Sequence, residues 1–579
     1  MAHFEAATYS VFHSCQQASA LPELTLPKTD SPAAEYQTAD QQQAIKAILK
    51  VAKGHRRRPL VLSADRGRGK SAALGMAAAQ LLSTGTQRIL VTAPSFAAAE
   101  AVFKHAASLL PDATSSRSLL QLADAELRFI APDDLLQSAV QTDLLLIDEA
   151  AVIPSPMLAD MLRRYSRIVF STTLHGYEGT GRGFAVRFQH LLEAMTPSWR
   201  RYNLVEPIRW DSNDALEAFS FEALLLNADP VEGELVSDAQ LQHCEIERLD
   251  SKTLLGNEVK LRALFGLMVL AHYRTRPSDL QLLLNNDAIT LYVISWHSHI
   301  VGTVWLVDEG ELNADLSEAI YCGERRLKGH LLPQSLLAHS GLMSAGNLKY
   351  QRVLRIAIHP DLRRKGFATA LIERVVDAAK ANHVDIVGAS FSADTQVMSF
   401  WHNCHFSSVR LGLQRDDVSG QHAVTLLHAC SPKGALLVSK VQTRFEQQWP
   451  DMLALPFNHL DVEIVLAIFQ QLDQPIRPLS EQDWHDIKRF SQHNATYETC
   501  HVAIRQFVIL MIRHVAFKQL SERDQRLLVL RTLQLTPSFE VIRTLEFKGK
   551  SDYLLALRQA IDTLLVTFLA ENNMIIASE

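Results

Sequence analysis

The chain is poor in the elements that let a few covalent or metal staples hold a protein together. It has six cysteines in 579 residues, Cys15, Cys244, Cys322, Cys404, Cys430 and Cys500, and no two stand in CxxC spacing. Neither a zinc ribbon nor a disulfide framework is signalled, and reduced thiols in a cytoplasmic protein are the expectation. No run approaches 18 consecutive apolar residues, and MAHFEAATYS has no basic segment leading into an apolar one. No membrane association is expected on those grounds. An excess of positive charge is also missing: Lys and Arg number 57 against 63 Asp and Glu, a net charge of -6. A nucleic acid would therefore have to be met by a local basic surface. No internal repeat or low-complexity linker is visible. What is present is the composition of a folded protein, 47% hydrophobic and 21% charged, long enough at roughly 150 residues per domain for about four domains.

The hydrophobic pattern divides the chain. Residues 1–37 mix Ser, Ala and Pro without periodicity and read as a short arm. Across 38–235, short apolar runs (PLVLSA from Pro59, RILVTAP from Arg88, DLLLIDEA from Asp143, RIVFSTT from Arg167) alternate with helix-like segments. That alternation predicts a buried parallel sheet in an α/β domain. A second α/β region spans 236–430. Residues 431–579 are mostly helical by their Leu/Ile/Phe spacing, as in FVILMIRHVAF. The fold class is thus α/β multidomain with a helical C-terminal domain.

The run from Pro59 leads into ADRGRGKS, Ala64 to Ser71, and then into a helix former. This is the strand, loop and helix order of a P-loop. Asp65, Arg66, Gly67, Arg68 and Gly69 form the turn, whose glycines let successive N–H groups face phosphate oxygens at the positive end of a helix. Lys70 supplies a point charge for the β and γ phosphates and Ser71 a hydroxyl for Mg²⁺. Ala64 stands where the commonest pattern has Gly. About eighty residues on, Leu144 to Ile147 run into Asp148 and Glu149, a Walker B arrangement in which Asp148 serves the Mg²⁺ and Glu149 the attacking water. Thr38, Asp40 and Gln41 resemble the motif by which helicase-like ATPases read adenine. STTLHGYEGTGRGF from Ser171 lies where such ATPases couple nucleotide state to conformation, and Arg209 in EPIRW is the candidate γ-phosphate arginine.

A second phosphate-binding pattern begins at Arg352. The strand Val353 to Ile358 passes through His359 and Pro360 into Arg363, Arg364, Lys365, Gly366, Phe367, Ala368 and Thr369. This is similar to the R/Q-x-x-G-x-G/A loop of GNAT acetyltransferases, where N–H groups at a helix N-terminus meet the pyrophosphate of coenzyme A. The hairpin-like AITLYVISWHSHIVGTVWLVDEG upstream and FWHNCHF downstream suit the same fold. A strand that splays from its neighbour would open the slot for the pantetheine.

Both engines in one chain resemble the tRNA(Met) cytidine acetyltransferase family over roughly Thr38 to Gly412. The likeness extends to AHYRTRPSDLQLLL and GERRLKGHLLPQSLLAHSG. It implies a RecA-like ATPase domain, a GNAT domain, acetyl-CoA and ATP as substrates, Mg²⁺, and acetylation of the wobble cytidine N4 of elongator tRNA(Met). No obligate protein partner is implied. Two departures stand out: only about forty residues precede Gln41, where family members carry a sizeable domain, and QVMSFWHNCHF lacks the acidic residue after Thr395 and the Gly before the last Phe.

The cytidine N4 amine is a poor nucleophile, so positioning and oxyanion stabilisation outrank a strong base. Backbone N–H groups near Ile356, Ala357 and Ile358 are the expected donors to the thioester carbonyl. His330, His359, His402 and His405 are weak candidates for a base, each more readily read as a structural or surface histidine. ATP is expected to drive the extraction of the base from its stack, which costs on the order of a few kcal/mol. Two other readings compete: an RNA remodelling ATPase with a GNAT-like binding module, and a protein N-acetyltransferase with a regulatory ATPase. In the C-terminal segment, Lys488 with Arg489, Arg523 with Arg526, and Lys548 with Lys550 are candidate tRNA-docking cations, against a packing role for the same helices.

Overall fold

The computed structural model describes residues 38–138, 140–173, 181–271, 277–286, 288–416, 420–472 and 478–576. The expected arm at 1–37, residues 174–180 of the Ser171 segment and residues 272–276 of the AHYRTRP segment lie outside them. The chain forms two compact units. The first holds the residues up to Leu306 together with Arg355–Leu371, and the second holds Val307–Leu354, Ile372–Asp416 and the chain from Gln421 onward.

In the first unit an eight-stranded sheet has the order β3-β4-β5-β2-β6-β7-β1-β8. Its strands are β1 (Leu60–Ala64), β2 (Arg88–Thr92), β3 (Thr114–Ser116), β4 (Leu119–Leu122), β5 (Ala125–Phe129), β6 (Leu144–Ile147), β7 (Ile168–Thr173) and β8 (Arg200–Leu204). The central strands are apolar on both faces because both are covered. Leu60, Leu62, Val91, Leu146 and Val169 face a core shared with α1 (Ala39–Lys53) and α2 (Lys70–Ser83). The alternate residues Val61, Leu90, Leu145, Ile147 and Phe170 face a second core on the other side. The parallel sheet predicted from the sequence is only part of the observed one, because β3, β4 and β5 pair antiparallel at one edge. TSS and LLQL are short and largely outside the core, and Ala123, between β4 and β5, takes a positive φ of 52°. Such a meander leaves little apolar periodicity to read.

The later sheet is built from β9 (Glu245–Leu249), β10 (Ile289–Trp296), β11 (His299–Gly310), β12 (Lys349–Ile358), β13 (Ile386–Ser392), β14 (Ser407–Arg415) and β15 (His422–Ala429), in the order β14-β15-β13-β12-β11-β10-β9. Within the first unit β9 pairs antiparallel with β10, and the end of β12 is tied on by the His359 N–H donating to the Val301 carbonyl at 2.8 Å. Within the second unit β12 pairs parallel with β13 from Tyr350–Ile386 to Val353–Ala389. β12 then runs on to Ile358 beyond its last registered pair, while β13 stays paired with β15 as far as Ser392–Ala423. Helices α3 (Leu331–Ser340) and α4 (Phe367–Ala381) follow β11 and β12.

The C-terminal segment is helical as expected, beginning with α5 (Pro432–Ala454) and ending with α6 (Lys550–Ile576). Part of α6 is long and apolar enough to cross a membrane by length and composition alone. Tyr553, Leu557, Ile561 and Leu564 on it are nevertheless buried in the unit. Asp385 fastens α5 to the sheet: its carboxylate accepts from Ser431 Oγ at 2.5 Å and from the Lys349 N–H at 3.0 Å. Ser431 is in turn the N-cap of α5, accepting from the Gly434 N–H. Asp385→Ala is therefore expected to lower stability by about 2 kcal/mol, the scale of a lost charged hydrogen bond with a stranded partner. Urea unfolding checks this, and a midpoint equal to that of the parent would contradict it.

Candidate functional site

The sequence-predicted ATP residues converge at the carboxyl ends of β1, β2, β6 and β7, where Ala64 pairs with Thr173 and Thr92 with Ile147. This is where parallel sheets place their ligands. β1 is buried throughout and stops at Ala64. The turn then reverses through Gly67 and Gly69, at φ 76° and 77°, and Gly69 caps α2. A side chain at either glycine would be strained, and it would also collide: a Cβ at Gly67 would meet the Trp210 ring at 2.6 Å, and one at Gly69 would meet Ile208 at 2.4 Å and Gln41 Nε2 at 2.9 Å.

Gln41 is fully buried, and its N–H is held by Thr38 Oγ1 at 3.1 Å. Asp40 accepts from the Val205 and Glu206 N–H groups at 2.8 and 3.1 Å and from the Tyr202 hydroxyl at 3.2 Å. Burial pushes its carboxyl up, but these three donors outweigh it and hold the group below its usual value. The Asp40 contacts pin the residues that follow β8, and those residues in turn brace the loop, with the Ile208 N–H donating to the Gly67 carbonyl at 2.8 Å.

Lys70 and Asp148 are both buried. Lys70 Nζ donates to the carbonyls of Ala64 and Asp65, each at 3.3 Å. Burial draws its ammonium down, opposed by Glu149, Asp148 and Asp65. Burial likewise drives Asp148 up, opposed by the neighbouring Ser71 and Ser171 hydroxyls and by Lys70. Asp148 Oδ1 accepts the Glu149 N–H at 3.1 Å, while Oδ2 has no hydrogen-bond partner among the described residues. Glu149 takes a left-handed conformation at φ 48°, a strained state for a residue other than glycine. Its carboxylate accepts from Thr173 Oγ1 at 3.1 and 3.3 Å.

Two predicted residues stand apart from the buried charges. The Arg68 side chain turns away from the loop, donating to the Val205 carbonyl and pairing with Glu217 at 2.8 Å. Arg209 is exposed. The residues that sequence reasoning missed are Ile208 and Trp210 on either side of it, and Glu217, which receives both Arg68 and the Trp210 indole N–H at 2.8 Å. EPIRW is legible as a motif, and within it Ile208 and Trp210 are the residues packed against the glycine turn.

The loop that the sequence marks as a candidate for acyl-CoA follows the end of β12. Ala357 and Ile358 are buried and Ile356 is half-buried. Arg363, Arg364, Lys365 and Gly366 are exposed, and Phe367 anchors the first turn of α4 in the core. Arg364 and Gly366 have φ of 61° and 86°, and the Gly366 carbonyl accepts the Ala370 N–H. A Cβ at Gly366 would meet only Leu241, at 3.6 Å, so the turn is open to an approaching group. Ala368 and Thr369 follow, half-buried.

Three of the four candidate histidines make structural contacts. His359 is buried, with Nε2 at 3.0 Å from the Val231 carbonyl and Nδ1 accepting the Asp361 N–H, so both ring nitrogens are used. His330 caps α3, and its Nδ1 accepts the Gly310 N–H at 2.9 Å, which leaves the ring proton on Nε2. His402 lies 2.9 Å from Ser408 Oγ, and burial lowers it to about 4. His405 is exposed. A buried ion pair went unseen: Glu309 on β11 binds Arg352 at 2.7 Å and accepts the Leu332 N–H at the start of α3.

Comparison with known proteins agrees with this pairing of sites. Residues 61–227 match the family described as RNA cytidine acetyltransferase NAT10/TcmA, helicase domain, and residues 263–378 match GNAT acetyltransferase 2. The tRNA(Met) cytidine acetyltransferase TmcA of Nitrosococcus halophilus is 41% identical over 92% of this chain and 71% of its own length. Those of Vibrio cholerae and Haloarcula marismortui are 37% and 34% identical over 93% and 90% of this chain, and 75% and 68% of theirs. At 41% identity over 92% of its own length and 71% of that relative's, the chain belongs to the tRNA(Met) cytidine acetyltransferase TmcA family.

Proposed function

We propose that the protein transfers the acetyl group of acetyl-CoA to N4 of the wobble cytidine of elongator tRNA(Met), in a reaction that consumes ATP. The observation that carries this reading is the presence in one chain of two glycine-set turns at helix N-termini, at Gly67–Gly69 and at Gly366, each presenting backbone N–H groups to an anion. In functional terms the segments 38–235, 236–430 and 431–579 act as a RecA-like ATPase, a GNAT acetyltransferase and a tRNA-docking region.

At the first turn, Lys70 would exchange the Ala64 and Asp65 carbonyls for the β and γ phosphates. The unpartnered, buried Asp148 Oδ2 beside Ser71 suits a Mg²⁺ ion, which when bound supplies positive charge against those phosphates. Glu149, braced by Thr173, would orient the attacking water. At the second, the N–H groups from Gly366 to Thr369 would take the pyrophosphate of coenzyme A. The pantetheine would lie along the end of β12.

The N4 lone pair attacks the thioester carbonyl, whose oxyanion is held by N–H groups near Ile356 to Ile358. Collapse breaks the carbon–sulfur bond and expels the coenzyme A thiolate. That thiolate is basic enough to accept the proton that N4 loses. A histidine base is not required, which accords with the closed contacts of His359. Docking of the tRNA falls to exposed cations of the third segment: Lys548 and Lys550 are exposed, and Arg523 stacks 3.9 Å over Phe547 next to Lys548. Arg526 and Arg489 are less available, being paired with Glu463 and Asp486.

Lys70→Ala is expected to lose ATP hydrolysis and tRNA acetylation, and also the stabilisation by ATP, which for the parent is about 2.7 kcal/mol at a hundred times Kd. Its acetyl-CoA affinity should stay within about twofold by calorimetry, and a large loss there would contradict two separate sites. Gly366→Val, forced into a positive φ at a cost of about 1–3 kcal/mol, should lose acetylation and keep ATPase activity. Near-parental acetylation would remove the assigned loop. His402 titrates near 4 when folded and near 6.5 when unfolded, so the unfolded state takes up its proton first and stability falls as pH drops through that window. His402→Gln should therefore lose less stability than the parent between about pH 6.5 and 4. Equal acid sensitivity of the two proteins would contradict the burial argument.

A further inference from the structure

The second unit contains a concentration of positive charge that the motifs do not account for. The C-terminal end of α3, the middle of β14 and the middle of α5 enclose a cavity of about 130 Å³. His339, Arg410, Arg444 and Gln448 line it, Leu413 and Met452 contribute apolar surface, and none of its lining residues is Asp or Glu. Neither Arg410 nor Arg444 has an ion-pair partner among the described residues.

Arg410 is half-buried. The β14–β15 pairing slips between Ser408 and Arg410, an irregularity of the kind that re-aims a side chain. Burial draws the Arg410 guanidinium down, and the His339 imidazole is drawn down by burial and by Arg410 and Arg326. Holding the Arg410 guanidinium half-buried without an anionic partner costs stability, and an anion in the hollow would repay it.

The size of the hollow limits what that anion is. About 130 Å³ is well below the roughly 300 Å³ at which pockets for free small molecules begin, so a single anionic group of a larger ligand fits better than a whole nucleotide. Leu413, 56% exposed, offers apolar contact beside the charged groups, as a sugar–phosphate chain would use. We propose that this cavity seats one backbone phosphate of the tRNA substrate, with Arg410 and Arg444 as its guanidinium donors. The proposal rests on the tRNA reading above and adds a docking point separate from the Lys548 and Lys550 region.

The test is equilibrium binding of tRNA across a salt series to the full chain and to Arg410→Gln/Arg444→Gln, with Arg444→Gln alone as a second variant because that side chain is exposed and its removal leaves the core intact. A bound phosphate predicts roughly ten- to a hundredfold weaker binding for the double variant and a slope of log K against log salt that is shallower by about 1. Arg444→Lys should keep the parental slope. Unchanged affinity and slope in both Gln variants, with unchanged acetyl-CoA binding showing that they are folded, would overturn the proposal. Loss of AMP binding with undiminished tRNA binding would overturn it too, by assigning the hollow to a free anion. A parent chain that binds no tRNA at all would instead overturn the proposed function itself.

Discussion

The first site depends on one constraint: a backbone turn that only glycine can make must be held open while charges are buried beneath it. Gly67 and Gly69 have the required positive φ, but the turn is shaped by what presses on it, with Trp210 against one glycine and Ile208 and Gln41 against the other. Those residues stay in place because Asp40 grips the chain after β8. Below the turn, Lys70 and Asp148 are drawn toward neutrality by the same burial. A site of this kind stores an unfavourable charge arrangement that a phosphate and a cation relieve, and nucleotide binding energy becomes available for work elsewhere.

The second site uses the same backbone chemistry without that enclosure. Around Gly366 the turn is exposed and a Cβ there would meet only Leu241. Such a cradle binds and orients rather than straining its ligand, and this suits a reaction limited by the weak nucleophilicity of an aromatic amine. The histidines nearest in sequence to the chemistry are occupied by structural contacts, His359 most completely. On the proposed function, position and N–H donors would do most of the work at this site.

Much of this was legible in the sequence, for reasons that can be stated. The four central strands of the first sheet are continuous apolar runs because both faces are buried, so LLLIDEA and RIVFSTT declare themselves. The two glycine turns were legible because glycine spacing encodes a backbone conformation directly, and Gly67, Gly69 and Gly366 all take a positive φ. The β3–β4–β5 meander was hidden because short, half-polar strands carry no period. The bracing by Trp210 and Glu217, the grip of Asp40 and the Glu309–Arg352 pair were hidden for a different reason. They are long-range contacts between residues unremarkable in their own segments, and Arg68, in the middle of a phosphate motif, turned out to serve that bracing.

The central claim is that the two cradles serve one reaction on one substrate. Mass spectrometry of nucleosides from tRNA(Met) incubated with the protein and acetyl-CoA, with and without ATP, tests it most directly. The account predicts N4-acetylcytidine at the wobble position when ATP is present and little or none without it. Acetylated peptide in place of acetylated cytidine, or equal acetylation of cytidine with and without ATP, would contradict it.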